Sequence, residues 1–433
     1  MNSKGKSLIF HVNRLRERLW FRPATFGLAS LVGVFAAGWI DGSGIIEFLP
    51  DIGRDTVVTL LSILAASMLV IATFAVGSMV SAYASAASSG TPRTLTLVLR
   101  DDVSQTAHST FVGAFIFSVV ARVALEEGYF EGTGYFMIFV EAMAVFAMVI
   151  VVFVYWVDSV ARLGLLGPVI DRVETATSVV LKNWRDTPHL GGVPVSPNFH
   201  ADQTLRACRV GYLQEINVKD LQAWAVEHDA RVRIVALPGD FMASGTQLAW
   251  LSFGQNGLPK QWETDLLSFF SIDQDRVFDQ DPRFGFVVLS EIAKRALSSA
   301  VNDPGTAIKV VGTMVRLLDI WCQPPEPESK ETPVCDRVEV PDMSVDGLLD
   351  DAFQGIGRDA AGIVEAAVAL QRCLKILVDC GNAEVASAAR YQSRVALARS
   401  EKAMVLREDL MAVQAAAGGD PAVSANGIMR AND

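Results

Sequence analysis

The chain has few residues of the kinds that build metal or redox centres. Its 433 residues include five histidines and five cysteines. No cysteines stand in a C-x-x-C spacing and no histidines in a metal-ligand spacing, so we predict no cofactor and no metal site. The cysteines all follow the apolar first third of the chain, in a region that we place below in a reducing compartment. We interpret them as buried or incidental thiols: Cys208, Cys322, Cys335, Cys373 and Cys380.

Catalytic and nucleic-acid-binding signatures are missing as well. The sequence has no Walker loop, no G-x-S-x-G elbow and no H-E-x-x-H pair. The glycine-spaced segment 253–257 is typical of a turn, not of a phosphate-binding loop. A formal net charge of −11 leaves no basic field for nucleic acid. We therefore predict that the protein is not an enzyme and has no nucleic-acid partner.

Apolar residues are abundant instead, at 51% of the chain, and they concentrate in the first third. Four blocks stand out, at about 25–40, 57–83, 108–125 and 135–157. Each approaches the ~20 residues that a helix needs to cross a bilayer. The first block reaches that length only if Trp20 and Phe21 act as interfacial anchors. We predict four transmembrane helices in contact with the lipid bilayer, and no cleaved signal peptide.

The loops between these blocks predict the orientation of the helices, because lysine and arginine favour the cytoplasmic side. Base-rich and base-poor segments alternate, clearly except at the second loop, where Arg93 and Arg100 are followed by two aspartates. This pattern predicts that both termini are cytoplasmic.

The second block is longer than a membrane requires, and its C-terminal half is rich in small residues. Small side chains at helical spacing let neighbouring helices approach closely. They would also leave room for a channel if several copies assembled around an axis. Ala75, Ser78 and Ala82 are the candidate pore-lining residues under this second interpretation.

Two charges lie inside apolar blocks, Arg122 in the third and Glu141 in the fourth. Both are expected at a similar depth, and an unpaired charge there would cost a few kcal/mol. We predict an intramembrane pair between them. An ion or proton path is one alternative, and a pair between Arg122 and Glu126, one helical turn away, is another.

The rest of the chain predicts a cytoplasmic α/β region followed by an all-helical region. We expect strands at 208–216, 231–237 and 247–253 with a helix at 218–228. Later helices are expected at about 284–299, 304–320, 346–378 and 383–412, with 323–341 as a loop. The predicted domains are a basic N-terminus (1–24), a four-helix transmembrane domain (25–160), a juxtamembrane helix and linker (161–200), a small α/β domain (201–260), a helical domain (261–414) and a disordered tail (415–433).

A polar hairpin joins two of these helices. Asp303 suits an N-cap, and Pro304 suits the first helical position, where a missing N–H costs nothing. The helix N-terminus could also attract an anion. Capping does not explain why several polar residues gather here. We take them as a hypothetical ligand-binding set: Arg295, Ser298, Asn302, Asp303 and Thr306.

This hairpin carries a family resemblance. Residues 296–307 read A-L-S-S-A-V-N-D-P-G-T-A, which resembles the A-L-S-P-x-x-N-D-P-x-T-A motif of a bacterial "predicted membrane protein" family classed as a domain of unknown function. Ser299 stands where that family usually has proline. The segments 211–214, 238–241, 280–285 and 292–295 are similar as well. The resemblance covers about 10–410 and implies a bacterial inner-membrane protein, but it supplies no activity.

Two functions remain open at this point. The long small-residue helix and the intramembrane charges favour a homo-oligomeric channel or transporter for an ion or small solute, with a cytoplasmic regulatory domain. The α/β region with its polar hairpin favours a membrane-anchored sensor or scaffold that binds an unknown ligand or a protein partner.

Overall fold

The computed structural model divides the chain into two compact units, Met1–Val169 and Ile170–Asp433, which we call the N-terminal and the C-terminal unit. It describes Thr25, Gly27, Leu28, Val32 and Gly257 and the ranges 52–89, 91–94, 102–130, 133–163, 165–254, 259–324 and 335–418. The predicted basic N-terminus and the end of the predicted disordered tail lie outside these residues. Of the predicted first span, 25–40, only Thr25, Gly27, Leu28 and Val32 are described.

Over residues 52–163, the described part of the N-terminal unit contains three long helices: α1 (Arg54–Ser89), α2 (Asp102–Glu126) and α3 (Thr133–Leu163). All three are long and apolar enough to cross a membrane, over Arg54–Ser85, Val103–Glu126 and Gly134–Arg162. They correspond to the second, third and fourth predicted spans. With 36 residues, α1 is about 54 Å long and exceeds the hydrocarbon thickness, as its sequence indicated.

Two apolar clusters hold these helices together. One joins Leu61 on α1 to Phe117 and Leu125 on α2, and the other centres on Phe111 and Trp156. Arg54 adds polar contacts at one end, since its guanidinium donates to the carbonyls of Leu125 and Glu126, both at 3.2 Å. These bonds satisfy carbonyls that the end of α2 leaves without a helical partner.

The C-terminal unit begins within helix α4 (Leu166–Asp186), continues into two sheets and ends in helices. The five-stranded sheet has the order β1 (Gly192–Val193), β8 (Cys335–Glu339), β4 (Ala230–Ile234), β6 (Gln247–Phe253) and β2 (Gln203–Arg206). The three-stranded sheet has the order β5 (Phe241–Met242), β3 (Gly211–Ile216) and β7 (Phe270–Asp273). Helix α5 (Val218–Glu227) follows β3, and helix α6 (Trp262–Leu267) precedes β7.

Strand β8 corrects the predicted loop at 323–341. It lies inside the larger sheet, between β1 and β4, and is parallel to both. Prolines around it favoured a loop, but Val338 and Glu339 are buried by tertiary pairing with β4, which no local pattern reveals. Strands β7 and β8 also come from beyond the predicted α/β range of 201–260, whereas the predicted strands near 212, 232 and 250 are present with shifted ends.

The helical part of the unit starts with α7 (Pro282–Ala296) and α8 (Pro304–Cys322), close to their predicted bounds. The predicted helix 346–378 is divided into α9 (Val345–Leu349), a π-turn (Asp350–Gln354), α10 (Gly355–Asp359) and α11 (Val364–Val378). The predicted helix 383–412 is divided into α12 (Ala383–Ala403) and α13 (Arg407–Ala416). Helix α7 lies very close to α4, because a Cβ at Gly285 would be 1.8 Å from Thr177 Oγ1.

Candidate functional site

Trp184, near the end of α4, lies at the meeting point of three cavities of the C-terminal unit. Its side chain is 5% exposed, and its Nε1 donates to the carbonyl of Gln280 at 3.0 Å. The three cavities have volumes of about 560, 450 and 240 Å³, and Trp184 lines each of them. The first of these, which we call the Trp184 cavity, is within the range of small-molecule sites.

The Trp184 cavity combines two indoles with carboxylates. Trp184 and Trp321 supply the aromatic surface, and three acidic side chains lie around them: Asp342, Asp346 and Glu384. Lysine and arginine are absent from the described residues that line it: Trp184, Pro188, His189, Trp321, Asp342, Met343, Ser344, Val345, Asp346, Glu384 and Ser387. Its electrostatic field therefore favours a cation, and indole faces bind cations well.

His189 is held at the wall of this cavity by an unusual backbone. His189 and Leu190 have φ values of 56° and 54°, and Gly191 follows at 85°. Non-glycine residues rarely adopt this left-handed region, and such strain tends to occur where a position is fixed for function. The His189 Nδ1 atom is 3.0 Å from the carbonyl of Val340, and Nε2 is 3.7 Å from Asp342 Oδ1. The ring is thus oriented with one nitrogen toward an acidic side chain.

The 240 Å³ cavity adjoins the Trp184 cavity, since both are lined by residues 342–344, and it is flanked by two polar turns. One turn contains Gly239 and Asp240, and the other contains Asp281 and Arg283. Gly239 has φ 99°, and a Cβ there would be 2.4 Å from Asp281 Oδ2. The carboxylate occupies the space that any larger residue than glycine would need. Strand β3 joins the same cluster, because Leu213 exchanges backbone hydrogen bonds with Gly239 and Asp240.

Asp281 is the most buried acid of this cluster. It caps α7 by accepting from the backbone N–H of Phe284 at 3.1 Å, and it pairs with Arg276 at 2.7 Å. Burial raises the pKa of Asp281 to about 6, against the opposing effects of Arg276 and the capping bond. Arg283 donates to Asp351 at 2.7 Å and also faces Asp240 and Asp281. The cluster thus combines three acids, Asp240, Asp281 and Asp351, with two arginines, Arg276 and Arg283.

These turns are the segments 211–214, 238–241 and 280–285 on which the family resemblance rests, and the fold brings them together. A family model described as "Predicted membrane protein (DUF2254)" matches residues 16–376. The chain belongs to this family. The family description names no activity.

The curated relatives are similar to this family member over a limited stretch. Uncharacterized proteins from Mycobacterium tuberculosis and Mycobacterium bovis are each 36% identical to it over 124 residues, which is 28% of this chain and 24% of each relative. The match thus spans about a quarter of the relatives' length. No solved structure matches the chain.

Four of the five predicted ligand-binding residues of the polar hairpin have a local structural role. Asp303 caps α8 by accepting from the backbone N–H of Thr306 at 3.0 Å and from its hydroxyl at 2.6 Å. These two bonds lower the pKa of Asp303. Asn302 is left-handed with φ 51°, as the turn requires, and the hydroxyl of Ser298 donates to the carbonyl of Arg295. None of the five is among the described residues that line the three cavities around Trp184.

The residues of the Trp184 cavity were missed by sequence reasoning. They come from α4, the 3₁₀ turn after it, the end of α8, the segment before α9 and the start of α12. Residues that far apart in sequence share no spacing pattern. The prediction placed His189 in a linker, and only its position next to Trp184 and two prolines could have attracted notice.

The intramembrane charges form the alternative pair. Arg122 Nε lies 3.0 Å from Glu126 Oε1, one helical turn along α2. The predicted pair between Arg122 and Glu141 was wrong for the described part of the N-terminal unit. A partner on the same helix face is in reach without any contact between helices, and both groups lie near the end of the span.

Two of the three candidate pore-lining residues are packing residues. Ala75 is 2% exposed and packs in the cluster with Phe111 and Trp156, and Ala82 is 9% exposed beside Tyr83 and Val169. Ser78 lies in an open groove of about 690 Å³ with Gly77, Ser81 and Ser85, and Ala82 lines the same groove. Small residues on α1 thus serve close packing on one face and form a groove on another.

Proposed function

We propose that this member of the predicted membrane protein family is a membrane-anchored receptor whose C-terminal unit binds a small organic cation. The observation that supports it is the Trp184 cavity, with two indoles and three carboxylates around about 560 Å³. An ammonium group would lie among the carboxylates and over the indole face of Trp321, and an apolar body would contact Met343 and Val345. The chemistry is binding, not catalysis, in keeping with the lack of catalytic motifs in the sequence.

The membrane arrangement proposed with it has four spans, counting the predicted helix at 25–40, with both termini in the bacterial cytoplasm. The lysines and arginines in the loops support this orientation. Helix α4 begins at Leu166, directly after the last span, and ends beside the cavity at Trp184. We infer that ligand binding acts on the membrane part through this helix. No other partner than the bilayer is required, although a homo-oligomer is consistent with this proposal.

The test uses the full-length protein in lipid nanodiscs. Phenethylamine should raise the thermal unfolding midpoint and quench tryptophan fluorescence with saturation, whereas uncharged 2-phenylethanol should do neither at the same concentration. Trp321→Ala should weaken binding roughly tenfold, because a cation–π contact contributes ~1–2 kcal/mol. Glu384→Gln should weaken it less, since its carboxylate is exposed.

Glu365→Gln is the matched control, because Glu365 is an exposed helix acid that does not line the cavity. It should bind like the wild type. Equal responses to the amine and the alcohol, or no response to a panel of primary and quaternary ammonium compounds, would contradict the proposal.

A second candidate is the homo-oligomeric channel or transporter, favoured by the groove at Gly77, Ser78, Ser81 and Ser85. In an oligomer, these small polar side chains would face a shared path. Ion flux into liposomes should then fall at least severalfold with Ser81→Leu, which narrows the groove. Thr73→Leu, at an exposed position of α1 outside the groove, should leave flux unchanged. Liposomes that stay tight at all voltages would exclude this function.

A further inference from the structure

A pair of thiols lies next to the Trp184 cavity. Cys322 is the last residue of α8, and Cys380 lies in the turn between α11 and α12. The Cys322 Sγ donates to the Cys380 Sγ at 3.0 Å, although 58 residues separate the two in sequence. Both side chains are half-exposed, so a small oxidant reaches them from solvent.

The geometry is close to that of a disulfide. The sulfur atoms need to approach by only ~1 Å to reach bonding distance. Cys380 is followed by Gly381, with φ 84°, in a short turn that can absorb such a movement more easily than a helix. A structural metal site is not the alternative here, since the described residues contain no group of three or more histidine, cysteine or acidic side chains that could hold an ion.

The two thiols differ in their readiness to react. Burial and the hydrogen bond to Cys380 raise the pKa of Cys322 to about 12, so its thiol stays protonated at neutral pH. Cys322 donates its S–H toward the Cys380 sulfur, so Cys380 is the acceptor of this bond and keeps its own lone pairs toward the reacting partner. Cys380 is therefore the attacking sulfur, and Cys322 is the partner that completes the bond.

We propose that Cys322 and Cys380 form a redox modification site, in which a peroxide oxidises the two thiols to a reversible disulfide. The Cys380 thiolate attacks one peroxide oxygen and breaks the O–O bond. It becomes a sulfenic acid, and the departing hydroxide takes the thiol proton as water. The Cys322 sulfur then displaces hydroxide from the sulfenic sulfur, and its own proton completes a second water. The sulfur pair loses two electrons and the peroxide gains them, and a small dithiol reverses the reaction.

Such a disulfide would restrain the cavity. Trp321 directly precedes Cys322, and Glu384 and Ser387 follow Cys380 at the start of α12, so the bond would tie two walls together. Disulfides in reducing compartments are usually transient and serve sensing, which fits a reversible pair. The redox site stands on its own geometry, while its effect on ligand binding rests on the proposed function.

The experiment uses the reduced full-length protein in detergent, freed of reductant and exposed to hydrogen peroxide. After alkylation of the remaining thiols, mass spectrometry of the digest should show a peptide linking Cys322 to Cys380. Free thiols should fall from the five per chain to three, and dithiothreitol should restore them. The sulfenic acid of Cys380 should be converted to the link faster than peroxide oxidises it further, because the two sulfurs are already in contact.

Cys373→Ser is the control, since Cys373 is equally half-exposed and lies on the preceding helix α11. It should keep the link, and Cys380→Ser should abolish it. The proposal would be overturned if peroxide left both thiols alkylatable in the wild type, if Cys380 went to sulfinic acid without a link, or if the link joined two chains. The wild-type measurement decides these outcomes even if a variant fails to fold.

Discussion

Replacing Arg276 with glutamine should destabilise the C-terminal unit by about 3–5 kcal/mol at pH 8, the usual cost of leaving a buried charge without its partner. Arg276 pairs with Asp281 at 2.7 Å, and the Asp281 side chain is 1% exposed. Its carboxylate also caps α7 and occupies the space that Gly239 leaves open. Loss of this ion pair would therefore destabilise the region where segments 211–214, 238–241 and 280–285 meet.

The loss of unfolding free energy in Arg276→Gln should be smaller at pH 5 than at pH 8. Burial already raises the pKa of Asp281 to about 6 from an ordinary 3.8. The native state thus holds this proton more tightly than the unfolded state, so the group's contribution is most favourable below pH 3.8 and is lost as the pH rises through 6. Without Arg276 the pKa rises further. At pH 5 the carboxyl is then neutral in the variant, and the deficit should shrink to a fraction of its value at pH 8.

Urea titrations of the full-length protein in detergent at pH 5 and pH 8, followed by tryptophan fluorescence, measure both values. Arg358→Gln serves as the control, because Arg358 pairs with its neighbour Asp359 on an exposed surface and should change little. Equal deficits for Arg276→Gln at both pH values would mean that lost packing, and not an unpaired charge, is responsible.

Helix α4 connects the Trp184 cavity to helices α7 and α8, so ligand binding in the cavity would act on both helices through α4. The Glu174 carboxylate of α4 accepts hydrogen bonds from Nε and Nη2 of Arg316 on α8, at 2.7 and 2.8 Å. Thr177 of α4 lies against Gly285 of α7. Trp184, in the last turn of α4, lines the cavity. Helices α7 and α8, which form the polar hairpin, are therefore both fixed to α4. If the proposed cation binds in the Trp184 cavity, the hairpin connects α7 and α8 and does not contact the ligand.

Features set by local chemistry were predictable from the sequence. The three long apolar helices follow from composition, and the cap at Asp303 follows from the spacing of aspartate, proline and threonine. Proline, glycine and aspartate at 238–240 are also residue types typical of a turn. Their physical role was not readable, because the need for glycine at 239 arises from Asp281, 42 positions later in the chain.

Features set by tertiary contact were out of reach. Alternation along the predicted strand 231–237 places Arg233 on the face opposite Val232 and Ile234, yet Arg233 is only 8% exposed. An alternating pattern shows which residues one face buries, but it does not show that a second layer covers the other face. The Trp184 cavity could not be predicted from the sequence for a similar reason, since its walls come from residues between 184 and 387. The Cys322–Cys380 pair, interpreted from the sequence as incidental, belongs to this class as well.

Replacing Arg233 with methionine should cost about 3–5 kcal/mol at neutral pH, because it leaves Glu339 buried without a cation. The two residues face each other on the parallel strands β4 and β8, and Arg233 Nε donates to Glu339 Oε2 at 2.7 Å. Ser196 adds a hydroxyl bond to Glu339 Oε1 at 2.8 Å. Arg233 also lies 4.4 Å from the centre of the Phe199 ring, so a methionine keeps most of the apolar contact.

The double variant Arg233→Met, Glu339→Gln separates charge from packing. Burial raises the pKa of Glu339, but the hydrogen bonds from Ser196 and Arg233 lower it more, so its native pKa lies below the usual 4.5. The pair therefore stabilises the fold above that pH and loses its contribution as the pH falls through the native pKa. In Arg233→Met the pKa of Glu339 should rise instead, and the loss of unfolding free energy should shrink on acidification.

Glutamine at 339 removes the buried charge altogether, so the double variant should recover at least half of the loss at pH 7 in urea titrations. A double variant as unstable as Arg233→Met would show that β4 and β8 depend on the arginine's hydrogen bonds more than on charge balance.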